Sequence, residues 1–195
     1  KLTEVRDQIT GSHLDRVNSF CKVLAISLRN MDSEYKEILT DSYIEQLAYA
    51  SMMHDIGKIA IPDRILCKRG TLTESEYEEM KNHIHIGENM IEEISAVIIK
   101  KDLFNMIRDI IRNHHENYDG TGYTKGLAKN EIPLCAAIVA IADVYDAIRS
   151  KRPYKPAYSH EYAYEFIINQ KGKKFFPVIV DAFINAESEI IKIYA

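Results

Sequence analysis

Residues 133–149 read "PLCAAIVAIADVYDAIR". Proline suits the first turn of a helix, where its missing N–H costs nothing. The residues after it are apolar nearly all the way round, so this segment is expected to be a central helix packed on every side. Asp143 and Asp146 are set into that apolar surface. A buried carboxylate without a partner is costly, so at least one of them needs a cation or a hydrogen-bond donor close by.

Working outward, the same three-and-four spacing recurs. After Ser12, apolar residues fall at Val17, Phe20, Cys21, Leu24 and Leu28, one buried helical face that also takes in His13. A second helix is expected over about 41–54, with Ile44, Leu47, Ala48 and Ser51 inward and Gly57 of "HDIGK" as its C-terminal stop. "IPDRILCKRGTL" reads as a turn-rich connection. Thr73 with Glu76 three residues on forms a capping box, opening a helix that runs towards His83. A further helix after Asp102 carries Leu103, Ile107, Ile110 and Ile111 inward, and His114 continues the stripe. Past the basic loop "KRPYKP", two more helices are expected at roughly 159–171 and 177–193. With no strand pattern, repeat or low-complexity segment, the fold class is all-α.

The 195 residues suit one domain, 1–195. A net charge of -4 gives no global attraction to DNA or an anionic membrane, so any phosphate must be met by a local group of Lys and Arg. The longest apolar run, "IPLCAAIVAIA", falls short of a membrane span. Cys21, Cys67 and Cys135 lie far apart with no CxxC pair, which argues against a disulfide framework and for a reducing, cytoplasmic setting. The chain opens on Lys1 and is read as a piece of a longer protein.

The inward polar residues form a set: His13, His54, Asp55, His83, His114, His115 and Asp143, including five of the seven histidines. Imidazole and carboxylate without thiolate suit Fe, Mn or Zn. Seven ligands are too many for one tetrahedral site. They suit two divalent ions roughly 3.5–4 Å apart, the arrangement that activates water and neutralises phosphate charge in phosphodiester hydrolysis. In "HHENYDGTGY", residues 114–123, a glycine-rich turn carrying tyrosine follows two of these histidines.

Taken in order, "HDIGKIAIPDRIL", "MKNHIHIG", "HHENYDGTGY", "IADVYDA" and "RPYKPA" resemble the HD-GYP family of HD-superfamily phosphodiesterases over about residues 10–183. The resemblance implies a compact helical bundle with a metal site in its core. It implies hydrolysis of cyclic di-GMP to pGpG, sometimes onward to GMP, with some relatives preferring cyclic GMP-AMP. It makes the seven residues above metal ligands, with Asp55 bridging the ions. Lys58 would stabilise charge at the attacked phosphate, Gly122 and Tyr123 would form the loop that touches substrate, and Arg152 and Lys155 would grip the phosphates. An N-terminal receiver or sensor domain of response-regulator type, and a diguanylate cyclase domain as partner, are further implications.

Four departures stand out. Thr124 occupies the place of the GYP proline, leaving the loop without that ring's rigidity. Ile9 stands where members with a third ion carry Glu, which points to two ions. Ala137 stands where the family often has Arg, a change expected to weaken or redirect nucleotide binding, and Phe176 replaces an Asp at a packing position. Outside the set, Asp146 reads equally as an acceptor behind a ligand or as a solvated carboxylate, His85 as surface, His160 as a residue without functional claim, and Cys21 and Cys135 as core. Two other functions compete: a general HD phosphohydrolase acting on nucleotides, and a non-catalytic relay that binds cyclic di-GMP or a diguanylate cyclase. The complete ligand set argues against the relay.

Overall fold

The computed structural model describes residues 12–95, 100–151 and 156–194. Over these the chain forms no strand, and the all-α expectation holds. In chain order the α-helices are α1 (Ser12–Met31), α2 (Ser33–Lys36), α3 (Asp41–Ser51), α4 (Asp63–Leu66), α5 (Glu74–Lys81) and α6 (His83–Ser95). They continue with α7 (Lys101–Asn113), α8 (Leu134–Arg149), α9 (His160–Asn169), α10 (Pro177–Asn185) and α11 (Glu187–Ile193). Two 3-10 turns, Ile56–Ala60 and Lys129–Glu131, complete the order. No described helix is long and apolar enough to cross a membrane.

The central helix is the one its sequence announces. Eleven residues of α8 are buried, among them Ile138, Ile141, Tyr145 and Asp146. Alanines at 136, 137, 140 and 142 keep its surface shallow, so α1, α7 and α9 can all pack against it. The long helix α1 packs in turn on α3, α10 and α11. Phe20, Tyr145 and Phe183 meet where α1, α8 and α10 cross, with ring centroids 5.2 to 6.1 Å apart. Each such fully buried ring stabilises the fold by about 1.5–3 kcal/mol through burial alone. A buried polar tie fixes the register of α1 on α10: Ser27 Oγ donates to Ala182 O at 2.8 Å and accepts from Asn185 Nδ2 at 3.1 Å.

The caps follow the sequence. Thr40 and Ser159 accept from the third backbone N–H of their helices, and Thr73 with Glu76 forms the full capping box. Several boundaries differ from expectation for local reasons. The helix entered at Thr73 breaks at Asn82, so His83 begins a new helix. The segment expected at 177–193 is broken at Ala186, which turns α11 back so that Ile190 is buried. A 3-10 turn, Ile56–Ala60, follows α3, and the turn-rich connection after it, "IPDRILCKRGTL", contains the short α4.

Gly57 is not the helix stop that its place in "HDIGK" implied. α3 ends at Ser51, and Gly57 is buried within the 3-10 turn, where that turn packs on α6. A Cβ on Gly57 would lie 1.9 Å from His83 O and 2.5 Å from Gly87 N, so the missing side chain is what lets the two backbones touch. Because the blocking atoms are backbone, Gly57→Ala is expected to cost about 3 kcal/mol, the upper end of overpacking effects. Urea unfolding of the metal-free protein measures this, and a loss under about 1 kcal/mol would mean that α6 can slide away.

Candidate metal centre

The seven residues sit on chain ends and turns that the helices aim at one place. His13 is the second residue of α1, and His54 and Asp55 lie in the turn after α3. His83 opens α6, His114 caps the C-terminus of α7 with His115 beside it, and Asp143 projects from α8. Their ligand atoms fall into two groups that could each hold a metal ion, within 4.8 Å of one another in each: Asp55, His83, His114 and His115 in one, His13, His54 and Asp143 in the other. Asp55 lies between the two. Its Oδ1 is 3.3 Å from His83 Nε2 and 3.7 Å from His114 Nε2, while its Oδ2 is 3.3 Å from His54 Nε2.

The histidines are held from behind. His54 Nδ1 donates to Ser51 O at 2.7 Å, His83 Nδ1 to Met80 O at 2.7 Å, and His114 Nδ1 to Ile110 O at 3.0 Å. A carbonyl only accepts, so each Nδ1 carries a proton and each Nε2 is turned inward, where it offers a lone pair to a metal ion once any proton on it is displaced. His13 Nδ1 is held at 2.7 Å by Asp146, whose carboxylate also accepts from Arg16, Ser150 and Tyr194. Asp146 is thus a buried, oriented acceptor behind His13 and not a solvated carboxylate. Inside the ring, the Nε2 atoms of His54, His83 and His114 and Oδ1 of Asp55 are buried and have no hydrogen-bond partner. Buried polar atoms are rarely left so. Lone pairs converging from imidazole and carboxylate fit a divalent cation of the Fe, Mn or Zn type.

Charge is finely balanced here. Burial works against a charged His54, but Asp55 and Asp143 overcome it and hold its pKa up at about 10. Burial pushes His83 down to about 4 against the pull of Asp55, and burial together with His114 holds His115 well below its usual value. Asp55 is itself buried, yet Lys58 and His54 keep it ionised, Lys58 Nζ lying 2.7 Å from its Oδ2. Side-chain exposures of 15% for Asp55 and 20% for Asp143 mark where the site opens to solvent.

The loop after the histidine pair closes one side. Tyr123 lies against His115 with ring centroids 4.9 Å apart, and Tyr77 packs on it from the other side at 5.9 Å. Sequence reasoning passed over Glu116, which is 2% exposed. Its Oε1 accepts from Thr124 Oγ1 and from Lys125 N, both at 2.6 Å. The expected slack from the missing proline is therefore met by a tether: the threonine that replaces it donates to a buried carboxylate. Gly122 in the same loop must be Gly, because a Cβ there would stand 2.6 Å from Glu116 Cα and 2.8 Å from Asn117 N.

The other candidates divide. Ala137 is buried in α8, His85 is exposed, and Phe176 packs on Tyr118 at 4.9 Å. His160 receives the Tyr145 hydroxyl and donates to Glu187, a tie between α8, α9 and α11. Ile9, Arg152 and Lys155 lie outside the described residues.

Two outcomes follow from this geometry. With its pKa raised to about 10, His54 is protonated at neutral pH in the metal-free chain, and a metal ion must displace that proton. Metal affinity is therefore expected to rise as pH goes from 7 towards 10. Calorimetric titration in buffers of differing ionisation enthalpy should detect proton release at pH 7, and a pH-independent affinity would contradict it. For the tether, Thr124→Val removes the donor at nearly constant shape and should speed deuterium exchange of the Lys125 amide by about tenfold, as expected when a hydrogen bond of ~1.5 kcal/mol is lost. Exchange equal to the parent's would show that the hydroxyl holds nothing.

Residues 18–178 match the HD domain family. The chain is 41% identical over 193 residues to a probable cyclic di-GMP phosphodiesterase of Vibrio cholerae, covering 98% of this chain and 44% of that protein. It is 37% identical to a cyclic di-GMP phosphodiesterase of Thermotoga maritima, covering 99% and 49%. It is 35% identical to a 3'3'-cGAMP-specific phosphodiesterase of Vibrio cholerae, covering 98% and 34%. The chain thus spans about half, or less, of the length of these relatives. Among solved structures, Bd1817, a HDG"Y"P protein from Bdellovibrio bacteriovorus, superposes with a TM-score of 0.61 at 18% identity over 97% of this chain and 57% of that one. A cyclic GMP-AMP phosphodiesterase of V. cholerae does so with 0.63 at 15% identity over 100% and 49%. The kinship read from the five motifs is borne out, and the chain belongs to the HD domain family.

Proposed function

We propose that this chain is an HD-GYP phosphodiesterase domain, 1–195, that hydrolyses a cyclic dinucleotide, cyclic di-GMP to pGpG, with two divalent ions, Fe or Mn by preference. The observation that carries the reading is the pair of candidate ligand groups that meet at Asp55, 3.3 Å from His54 of the second group, with four of their atoms, the Nε2 of His54, His83 and His114 and Oδ1 of Asp55, buried and without a hydrogen-bond partner. His83, His114 and His115 would hold one ion, His13, His54 and Asp143 the other, and Asp55 would reach both. When bound, the ions supply Lewis acidity and neutralise phosphate charge. In the hydrolysis a water oxygen bonds to one phosphorus in line and gives up a proton, while the P–O3′ bond breaks and the departing ribose oxygen takes a proton up.

The chain's own residues set the rest. Lys58 stands beside Asp55 at the open edge, so its ammonium is positioned to stabilise charge developing on the phosphate. Tyr123, with Gly122 before it, forms a wall that orients the substrate over the site. Arg152 and Lys155 remain phosphate contacts on the strength of the motif resemblance. The relatives' greater length supports a receiver or sensor domain elsewhere in a longer cytoplasmic protein, and a diguanylate cyclase domain is a fitting partner. No observation favours a general phosphohydrolase or a non-catalytic relay.

Anaerobic purification, metal analysis and chromatography of cyclic di-GMP incubated with the Mn- or Fe-loaded protein test this. About two ions per chain and accumulation of pGpG are expected, with cyclic di-GMP cleaved much faster than bis-p-nitrophenyl phosphate. Equal rates on the two would favour the general phosphohydrolase, and two ions without turnover would favour the relay. Asp55→Ala should lose metal and activity together, whereas Lys58→Ala should keep its metal and lose about 100-fold in kcat.

A further inference from the structure

A cavity of about 210 Å³ lies between α5, α6, the end of α7 and the Tyr123 loop, lined among others by Lys81, Glu88, Arg112, Tyr123 and Lys125. It begins one side chain away from the candidate metal centre, because Tyr123 walls it on one side and packs on His115 at 4.9 Å on the other. Its size is informative. An apolar cavity of roughly 150 Å³ accepts a benzene, whereas whole drug-sized ligands need about 300 Å³ or more. This one therefore has room for a single ring system.

Its polar lining has an order. Arg112 and Glu88 form an ion pair within the wall, both side chains partly exposed, so a donor fork and a carboxylate stand side by side. Arg112 Nε is buried and has no hydrogen-bond partner, so the fork is not fully used. Lys81 Nζ lies 5.2 Å from the centre of the Tyr123 ring and is ion-paired with Glu78 at 2.6 Å, so this charge in the lining is already met. Guanine presents an acceptor, O6, next to two donors, N1–H and the 2-amino group. Adenine presents a donor, the 6-amino group, next to an acceptor, N1, and has no 2-amino group. An arginine beside a carboxylate meets the guanine edge with three hydrogen bonds, one to O6 and two from N1–H and the 2-amino group, whereas adenine, turned over, offers only two, its 6-amino group to the carboxylate and its N1 to the arginine.

We propose that this cavity is a guanine subsite, in which Arg112 donates to O6 and Glu88 accepts from N1–H and the 2-amino group, so that the Arg112–Glu88 pair sets base specificity. This rests on the cyclic-dinucleotide reading above and extends it from the phosphate to the base. One guanine is selected, so substrates with at least one guanine are preferred over a substrate without any.

The test compares the Mn-loaded protein with its Glu88→Gln and Arg112→Lys variants on cyclic di-GMP, 3'3'-cyclic GMP-AMP and cyclic di-AMP. The parent should prefer cyclic di-GMP over cyclic di-AMP by at least about tenfold in kcat/KM, and Glu88→Gln should reduce that ratio by about tenfold. An unchanged ratio in a Glu88→Gln protein whose unfolding midpoint matches the parent's overturns the subsite. If that variant unfolds early, Arg112→Lys, which keeps the charge and loses the fork, is read in the same way. Titration of GMP and AMP against the parent, followed by NMR, separates this idea from the proposed activity. Tighter GMP binding that is lost in Glu88→Gln upholds the subsite even if no cyclic dinucleotide is cleaved, and equal binding of GMP and AMP refutes it whatever the turnover.

Discussion

A carboxylate that must sit ionised among imidazoles, Asp55, is the constraint around which this chain is built. Its Oδ1 is buried without a hydrogen bond, as are three Nε2 atoms pointing towards it. Such a group is costly to keep out of water unless a cation shares it. In the metal-free chain that cation is partly the proton held on His54 and partly the ammonium of Lys58. The packing serves the same end. Gly57 lets the turn after Asp55 touch the first turn of α6, which brings His83 to within 3.3 Å of the carboxylate.

Around that centre, two further buried carboxylates convert loose elements into fixed ones. Asp146 gathers His13, Arg16, Ser150 and Tyr194, and so ties α1, α8 and the end of α11 together behind His13. Glu116 gathers Thr124 and the Lys125 amide and so holds the loop that carries Tyr123. Neither acid belongs to the two ligand groups. Each determines where a group that does chemistry can stand, which makes the geometry of the site a property of several helices rather than of one motif. The cavity behind Tyr123 depends on the same tether, since Thr124 and Lys125 form part of its wall.

Much of this was legible before any coordinates. The apolar circumference of α8, the three-and-four spacing of α1 and the capping box at Thr73 are local patterns, and local patterns survive into the fold. The convergence of the candidate site was legible because chemistry is written in residue type: histidines and aspartates at inward helix positions have few other uses. Three readings failed where the deciding partner was distant in sequence. Gly57 looked like a helix stop because its contact is with His83 and Gly87. Thr124 looked like a weakened loop because Glu116 lies eight residues back and nothing in its spacing announced an acceptor. The helix break at Ala186 was invisible because α10 and α11 are both amphipathic, and only packing on α1 decides where the chain turns.

By itself, then, the sequence determined that the chain is all-α, that α8 lies at its centre and which seven side chains converge, because periodicity and ligand chemistry are properties of single residues and their near neighbours. The tertiary structure decided how the seven divide into two groups about Asp55, which carboxylates stand behind His13 and the Tyr123 loop, and that an arginine and a glutamate meet in a cavity beside Tyr123. Those are distances between residues far apart in the chain, and only close packing of the helices fixes them.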